Sequence, residues 1–237
     1  MLLEIDNLHA AYQEDIFILQ GVAITVPEAR TVVVIGANGT GKSTLLKAVF
    51  GFLKPQRGTV RFRKEDITAL SPAETMLKGI GFIPQGRSVF PHMTVMENLE
   101  MGCWAFRRDK KRIRRRIGWS LERFPALAEH IRKQAGTLSG GQQRLLEFAK
   151  ALLPDPSLLL VDEPSVGLSP LVAKEIYAEL LAFRQEGRSI LLIDQDIRAA
   201  MDIAEDVCIM ELGKIKTKGQ RDDFVNDLDG LVRSWLI

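Results

Sequence analysis

The stretch from Gly36 to Ser43 constrains the fold of this chain more than any other feature. Its residues, GANGTGKS, follow the β-branched run Thr31–Ile35 (TVVVI), which has the composition of a fully buried strand. A helix is predicted from Lys42 to about Phe50, because Gly51 provides a helix-ending signal. A glycine-rich loop between a buried strand and a helix turns its backbone N–H groups inward, where they bind phosphate oxygens. The sequence therefore predicts a loop that holds the phosphates of Mg-ATP.

Individual roles follow from the pattern G-x-x-x-x-G-K-[ST] that this phosphate loop meets. Lys42 is expected to reach the β- and γ-phosphates, and the Ser43 hydroxyl is expected to ligate Mg²⁺. The alternative is an ordinary glycine-rich turn with a chance lysine, which the flanking strand and helix disfavour. The predicted nucleotide contacts on the loop are Gly36, Asn38, Gly39, Gly41, Lys42, Ser43 and Thr44.

Two carboxylates follow another apolar run, from Ser157 to Val161 (SLLLV). Asp162 is suited to the Mg²⁺ shell, and Glu163 is placed to polarise an attacking water as a general base. An acidic pair at this position is by itself more often a solvated strand end. The presence of the phosphate loop reverses that preference.

The order of the remaining apolar runs indicates an α/β fold. A helical segment from about Leu171 to Gln185 separates the run before Asp162 from a second run, Ser189–Ile193 (SILLI). The order strand, helix, strand predicts parallel strands joined by helical crossovers, with ligands at the carboxyl ends of the strands. From Met93 to about Lys133 the pattern becomes helical and basic, which predicts an inserted helical region.

Composition excludes several other classes of protein. The chain has 237 residues, 46% of them apolar, and a net charge of +2 from 32 basic and 30 acidic residues, so an extended nucleic-acid-binding surface is not expected. Its two cysteines show no spacing typical of a disulfide framework or metal site. The acidic N-terminal segment is unlike an export signal, and no apolar stretch approaches the roughly 20 residues of a spanning helix. A reducing, cytoplasmic compartment is expected.

A third motif, Leu138 to Gln142 (LSGGQ), is predicted to open a helix. Ser139 is placed to cap it, and Gly140 and Gly141 expose backbone N–H groups. With the phosphate loop before it and the acidic pair after it, the chain resembles the ATP-binding-cassette (ABC) ATPases over essentially its whole length. The resemblance implies an ABC-type nucleotide-binding domain over residues 1–237, with a P-loop core of parallel strands, an antiparallel N-terminal β part, and an inserted helical subdomain at residues 86–144.

The same resemblance implies further site residues. Tyr12 would stack on the adenine, since a base needs only an aromatic face. Gln85 would sense both Mg²⁺ and the attacking water. The signature residues would bind the γ-phosphate of ATP held by a second subunit, so hydrolysis would need a head-to-tail dimer. They are Ser139, Gly140, Gly141 and Gln142.

Two positions depart from the common family pattern. Ser169 stands where most members have an aspartate, and Gln195 stands where most have a catalytic histidine. Glutamine keeps a donor and an acceptor but cannot carry a positive charge. The chain resembles one branch of the family in particular: the second, short-C-terminus ATPase subunit of importers for branched-chain amino acids, urea and similar small polar solutes. The features that carry this resemblance are the two departures, the run from Pro84 to Gly102 and the ending LVRSWLI.

That branch implies the partners. They are a second ATPase subunit, two transmembrane permease subunits and, indirectly, a solute-binding protein. The second ATPase subunit is expected to be a different chain that retains the histidine, and a homodimer is the alternative. The expected location is peripheral, on the cytoplasmic face of the inner membrane, with no nucleic acid bound. The alternatives are an ABC protein that acts on nucleic acid or ribosomes, which would carry tandem cassettes or coiled insertions, and a regulatory module with impaired hydrolysis, which the intact Glu163 disfavours.

A basic run from Arg107 to Arg116 (RRDKKRIRRR) carries eight cations and a single acid. Such a run suits anionic lipid headgroups or nucleic acid. The favoured interpretation at this level is the solvated face of a helix in the inserted region.

Overall fold

Two β-sheets organise the computed structural model, which describes residues 1–13, 16–86 and 88–225. The strands are β1 (Leu3–Gln13), β2 (Ile16–Val26), β3 (Thr31–Ile35), β4 (Arg57–Phe62), β5 (Glu65–Asp66), β6 (Ile80–Ile83), β7 (Leu158–Asp162), β8 (Ser189–Ile193), β9 (Asp206–Glu211) and β10 (Lys214–Gln220). The helices are α1 (Lys42–Phe50), α2 (Pro72–Leu77), α3 (Val95–Gly102), α4 (Lys110–Arg123), α5 (Pro125–Ala128), α6 (Gly140–Leu152), α7 (Pro170–Gln185), α8 (Ile197–Ile203) and α9 (Asp222–Val225). The terminal run LVRSWLI lies outside the described residues.

The larger sheet has the strand order β10-β9-β3-β8-β7-β6. All neighbours pair in parallel except β10, which runs antiparallel to β9 at the edge. Every residue of β3, β7 and β8 is buried, as expected for parallel strands covered on both faces. The predicted α/β class with parallel strands is confirmed.

Alternate residues of β3 enter two different cores, because successive side chains of a strand point to opposite faces. Val32 and Val34 pack with α1 and the smaller sheet, whose order is β2-β1-β4-β5. Val33 and Ile35 pack with α6 and α7 on the other face. The antiparallel N-terminal sheet therefore covers one side of the parallel sheet, and helices cover the other.

The parallel order brings four segments to one edge of the sheet. Strands β3, β8 and β7 are consecutive neighbours, and β6 lies next to β7. The carboxyl ends of parallel strands meet at the same edge. The phosphate loop after β3, the acidic pair at the end of β7, Gln195 after β8 and Gln85 after β6 consequently converge.

Helices α3 to α5 lie between β6 and α6 and share a core with α6. Thr94 begins α3 with a capping box in which its side chain accepts from the backbone N–H of Glu97. A bridge between Thr94 and Gln134 joins the two ends of this helical segment. None of the helices in the described ranges is long and apolar enough to cross a bilayer.

Candidate functional site

The phosphate loop connects β3 directly to α1, as predicted. Gly36 is required because a Cβ there would lie 2.2 Å from the Met210 carbonyl oxygen of β9. Gly41, which immediately precedes α1, has a left-handed φ of 102° that favours glycine. Asn38 and Gly39 are exposed at the tip of the loop, while Thr44 is buried in the first turn of α1. The backbone is thus shaped for an anion at the start of α1.

Lys42 lies across the loop with its side chain buried. Its Nζ donates to the carbonyl oxygens of Gly36 (2.7 Å) and Ala37 (2.9 Å). Burial lowers the pKa of Lys42, and the carboxylates of Glu163 and Asp162 oppose that shift. A cation is held where the loop would surround phosphate oxygens.

Ser43 and Asp162 form the side of the site suited to a metal ion. The Ser43 hydroxyl donates to Asp162 Oδ1 over 3.0 Å, and Asp162 is only 2% exposed. Burial raises the pKa of Asp162, and the hydrogen bond from Ser43 opposes the shift. A hydroxyl and a carboxylate are hard oxygen ligands, which Mg²⁺ prefers, and the ion typically completes its shell with water and substrate phosphates. The residues present therefore fit Mg²⁺ bound together with a nucleotide.

Glu163 is the centre of the predicted catalytic group. Its Oε2 accepts hydrogen bonds from Gln85 Nε2 (2.5 Å) and Gln195 Nε2 (2.8 Å). The Glu163 backbone has a φ of 44°, and its N–H donates to the Ile193 carbonyl oxygen of β8 (2.7 Å). Two of the residues predicted as catalytic, Gln85 and Gln195, therefore both contact the third, Glu163, and the three loops follow β6, β8 and β7.

A buried network beneath these residues was missed by the sequence analysis. Asp194 Oδ2 accepts from the Tyr177 hydroxyl (2.6 Å), and Asp194 Oδ1 accepts from the Ser165 hydroxyl (3.1 Å). Burial, followed by the charge of Asp194, strongly raises the pKa of the Tyr177 phenol. The network joins α7 to the residues that follow Glu163 and precede Gln195. The only signal in the sequence was an aspartate at the end of an apolar run.

Arg144 is a further buried residue that the sequence did not indicate. From the buried side of α6 it donates to the carbonyl oxygens of Pro84 (2.8 Å) and Pro164 (3.1 Å) and to Glu147 Oε2 (2.7 Å). Glu147 Oε1 in turn accepts from the Ser88 N–H. Arg144 thereby connects the signature helix to the loops that carry Gln85 and Glu163.

The signature residues open α6 as predicted. Ser139 accepts from the Gln142 N–H (3.2 Å), and Gln142 Oε1 accepts from the Ser139 N–H (3.1 Å), which completes a capping box. A Cβ at Gly140 would meet no atom within 4 Å, whereas one at Gly141 would lie 2.8 Å from Val172. No hydrogen bond joins residues 139–142 to the phosphate loop in the described part of the chain.

Tyr12 lies at the surface near the end of β1. Its side chain is 58% exposed, and Lys47 Nζ on α1 is 6.0 Å from the ring centroid. The ring is therefore accessible beside the helix that begins with Lys42. Ser169, the other position that departs from the common pattern, immediately precedes α7 as its N-cap residue.

Comparison with known proteins connects this arrangement to one family. A family model described as ABC transporter matches residues 19–166, which include the phosphate loop, the signature segment and the acidic pair. The chain is 37% identical over 214 residues to the high-affinity branched-chain amino acid transport ATP-binding protein BraG of Pseudomonas aeruginosa, an alignment that covers 90% of this chain and 91% of BraG. It is 34% identical over 225 residues to the probable branched-chain amino acid transport ATP-binding protein LivF of Archaeoglobus fulgidus, covering 94% of each.

A solved structure shows the same fold. The ADP conformation of MJ1267, an ATP-binding cassette of an ABC transporter, superposes with a TM-score of 0.87 at 30% identity, covering 99% of this chain and 98% of that one.

Proposed function

The chain belongs to the ABC transporter family, and from that membership we propose that it is the ATP-hydrolysing subunit of an importer for branched-chain amino acids or similar small polar solutes such as urea. The contact of Gln85 and Gln195 with one oxygen of Glu163 carries the proposal, because it orients a carboxylate beside the phosphate loop. BraG and LivF, which are similar over nearly the whole chain, support the importer branch.

Each side chain of the site has a proposed task in hydrolysis. Lys42 moves from the loop carbonyls to the β- and γ-phosphates of ATP. Ser43, Asp162 and Gln85 would hold Mg²⁺, which would neutralise negative charge on the phosphates when bound. Glu163 accepts a proton from the attacking water, and Gln195 keeps the carboxylate oriented.

The site is proposed to be completed by a second ATPase subunit. Gly140 lies at the start of α6 with open space beside its Cα, so a phosphate from another subunit has access to the backbone N–H groups there. Ser139, Gly141 and Gln142 belong to the same helix start and would contact that phosphate too. Tyr12 would stack on the adenine of the ATP that this chain itself binds. The partner is a different chain that retains the histidine, or a second copy.

An apolar groove supports the proposal that membrane-spanning permease subunits dock on this chain. It has a volume of about 570 Å³, lies between α1, β6 and the helical segment, and borders the loop that carries Gln85. The proposed subdomain of residues 86–144 would transmit motion from this groove to the nucleotide. The residues that line the groove include Phe50, Phe52, Met76, Phe82, Met101 and Lys150. A solute-binding protein would act only through the permease, on the far side of the membrane from this peripheral, cytoplasmic subunit.

Replacement of Glu163 by glutamine tests the proposed base. The Glu163→Gln variant should bind ATP with native affinity, lose at least about 100-fold in turnover, and accumulate an ATP-bound dimer. Steady-state hydrolysis, nucleotide binding and size-exclusion chromatography with light scattering measure the three effects. Glu28→Gln, which removes an exposed carboxylate, is the matched control and should stay native. Normal turnover in Glu163→Gln would show that Glu163 is not the base.

Co-purification with the permease subunits tests the importer branch. Branched-chain amino acids, presented on their binding protein, should stimulate hydrolysis by the reconstituted complex, and urea is the comparison solute. If neither the branched-chain amino acids nor urea stimulates hydrolysis, the assignment to this importer branch fails, while the assignment as an ATPase is unaffected.

A further inference from the structure

The basic run at residues 107–116 is divided into two sets by the fold. Arg112 and Arg116 turn inward: the Arg112 guanidinium lies 4.3 Å from the Phe106 ring centroid, and Arg116 donates to the carbonyl oxygens of Leu152 (2.7 Å) and Leu153 (3.0 Å). The other six cations are exposed and form what we call the basic face. They are Arg107, Arg108, Lys110, Lys111, Arg114 and Arg115.

The cations of the basic face have no carboxylate partner among the described residues. Several half-buried arginines elsewhere do have one, as in the pairs of Arg123 with Glu179 and of Arg188 with Asp155. Asp109, the one acid of the run, accepts from the Arg112 N–H as the N-cap of α4. Like charges this close repel one another, so an external anion would be bound favourably.

The charge of the whole chain is concentrated in this run. Its eight cations and one acid carry +7, so the other 227 residues carry −5 of the total of +2. The balanced composition therefore hides a strongly basic run in a chain whose other residues carry a net negative charge.

Exposed apolar side chains lie beside the basic face. Trp104 is 55% exposed in the 3₁₀ turn that precedes α4, and the Arg107 guanidinium lies 4.6 Å from its ring centroid. Leu77, 65% exposed, ends α2, which lies alongside this turn. Tryptophan and leucine next to lysine and arginine are the composition of surfaces that lie at the boundary between lipid headgroups and acyl chains.

We infer that the basic face, together with Trp104 and Leu77, binds the anionic headgroups of the membrane that contains the permease subunits. The inference rests on the proposed function, because Met101 and Gly102 of the docking groove lie at the end of α3, just before Trp104. A permease segment in the groove would hold this surface near the bilayer. A nucleic acid fits less well, because Arg107 covers one face of the Trp104 ring, on which a base would otherwise stack.

Vesicle flotation of the full chain measures this binding. The vesicles contain phosphatidylcholine alone or with roughly 30% phosphatidylglycerol, at low and high salt. The native chain should float with the anionic vesicles only, and salt should release it. The triple variant Lys111→Gln/Arg114→Gln/Arg115→Gln should bind on the order of 100-fold more weakly, since each cation near such a surface contributes about fivefold. Arg112 is left in place because it packs on Phe106.

The matched control neutralises three other exposed cations. Lys214→Gln/Lys216→Gln/Lys218→Gln, on the edge strand β10, makes the same change in net charge and should keep native binding. Trp104→Ala should weaken binding to anionic vesicles without changing its dependence on salt. The inference is overturned by equal losses in the two triple variants, by equal flotation with neutral vesicles, or by a single-stranded RNA that competes the chain off the vesicles at equal phosphate concentration.

Nucleotide measurements on the same samples separate the inference from the proposed function. The triple variant of the basic face should bind and hydrolyse ATP like the native chain, since none of its residues belongs to the nucleotide site. Native hydrolysis without vesicle binding overturns the membrane inference alone. Vesicle binding by a chain that does not bind ATP overturns the proposed function and leaves the surface assignment standing.

Discussion

Glu163 receives both of its side-chain donors from neutral amides. Gln85 and Gln195 each donate to Oε2 from opposite neighbouring strands of β7, so the carboxylate is oriented between them. Neither amide titrates between about pH 5 and pH 8, unlike a histidine at position 195. Both donors to the proposed base therefore keep the same protonation state across the physiological range.

A histidine in place of Gln195 should make hydrolysis sensitive to pH. In the Gln195→His variant a neutral imidazole still donates one hydrogen bond to Glu163, and the protonated ring adds a charge near the γ-phosphate. Turnover at neutral pH should rise or stay level, and its pH profile should gain a step near about pH 6.5 that the native chain lacks. The rate at saturating ATP across that range measures this, with Gln195→Ala as the control without a donor. A clear loss at every pH would show that glutamine has a role of its own.

Loss of the loop lysine should abolish nucleotide binding. The Lys42→Ala variant removes the cation that reaches the phosphates and frees the carbonyl oxygens of Gly36 and Ala37. Titration with a fluorescent ATP analogue should show no saturable binding. Lys54→Ala, which removes an exposed ammonium beyond the end of the same helix, is the control for general loss of charge. Unaltered affinity in Lys42→Ala would contradict the loop assignment.

At the scale of elements, Arg144 determines how α6 meets the sheet. Its guanidinium bridges the ends of β6 and β7 through Pro84 and Pro164 while it pairs with Glu147, which is 4% exposed. Arg144→Met should lower the free energy of unfolding by about 3–5 kcal/mol, because it leaves the buried charge of Glu147 unpaired. Urea unfolding measures the change.

Two further variants show whether the buried charge causes that loss. Arg144→Met/Glu147→Met removes both charges and should recover a large part of the stability. Lys78→Met breaks the exposed pair with Glu65 and should change the free energy of unfolding much less, because solvent screens that pair. A double variant no more stable than Arg144→Met would mean that the carbonyl contacts, not the ion pair, hold α6 in place.

The elements found from sequence were those whose local pattern matches their environment. β3, β7 and β8 are apolar throughout because both faces are covered, so their runs were visible. β10 (KIKTKGQ) is a largely exposed edge strand that exists through its pairing with β9, and no local pattern marks it. β6 contains Gly81, where a Cβ would lie 2.9 Å from Leu159, so packing required a residue that weakens the strand signal.

The same distinction applies to the site. The phosphate loop, the acidic pair and the signature segment are contiguous in the sequence, and their spacing could be recognised. Arg144, Tyr177 and Asp194 act through partners that are distant along the chain, so no single window contains the interaction. Hydrogen bonds of this kind become predictable only once the order of the parallel strands is known.

At the scale of the whole molecule, the proposed dimer would give each chain two different half-sites. The phosphate loop of one chain would meet the signature segment of another, so two differently defective chains should complement each other. Gly140→Asp is suited to this test because its Cβ meets no atom within 4 Å, and a carboxylate in the first turn favours a helix. It should fold normally and repel the γ-phosphate that a partner presents. Lys42→Ala has the opposite defect.

Mixing the two inactive variants should therefore restore hydrolysis. In an equimolar mixture, half of the dimers pair the intact loop of a Gly140→Asp chain with the intact signature segment of a Lys42→Ala chain, which gives roughly a quarter of the native number of sites. Rate against mixing ratio should peak near equality. A Lys42→Ala/Gly140→Asp chain added to either variant is the control and should restore no activity, because neither mixture pairs an intact loop with an intact signature segment. If the mixture stays inactive while the native chain alone hydrolyses ATP, the site is complete within one chain and the dimer proposal fails. If the native chain alone is inactive and activity appears only with a different ATPase subunit, the heterodimer is the working form, and the same two variants then assign which of its two sites is built on Glu163.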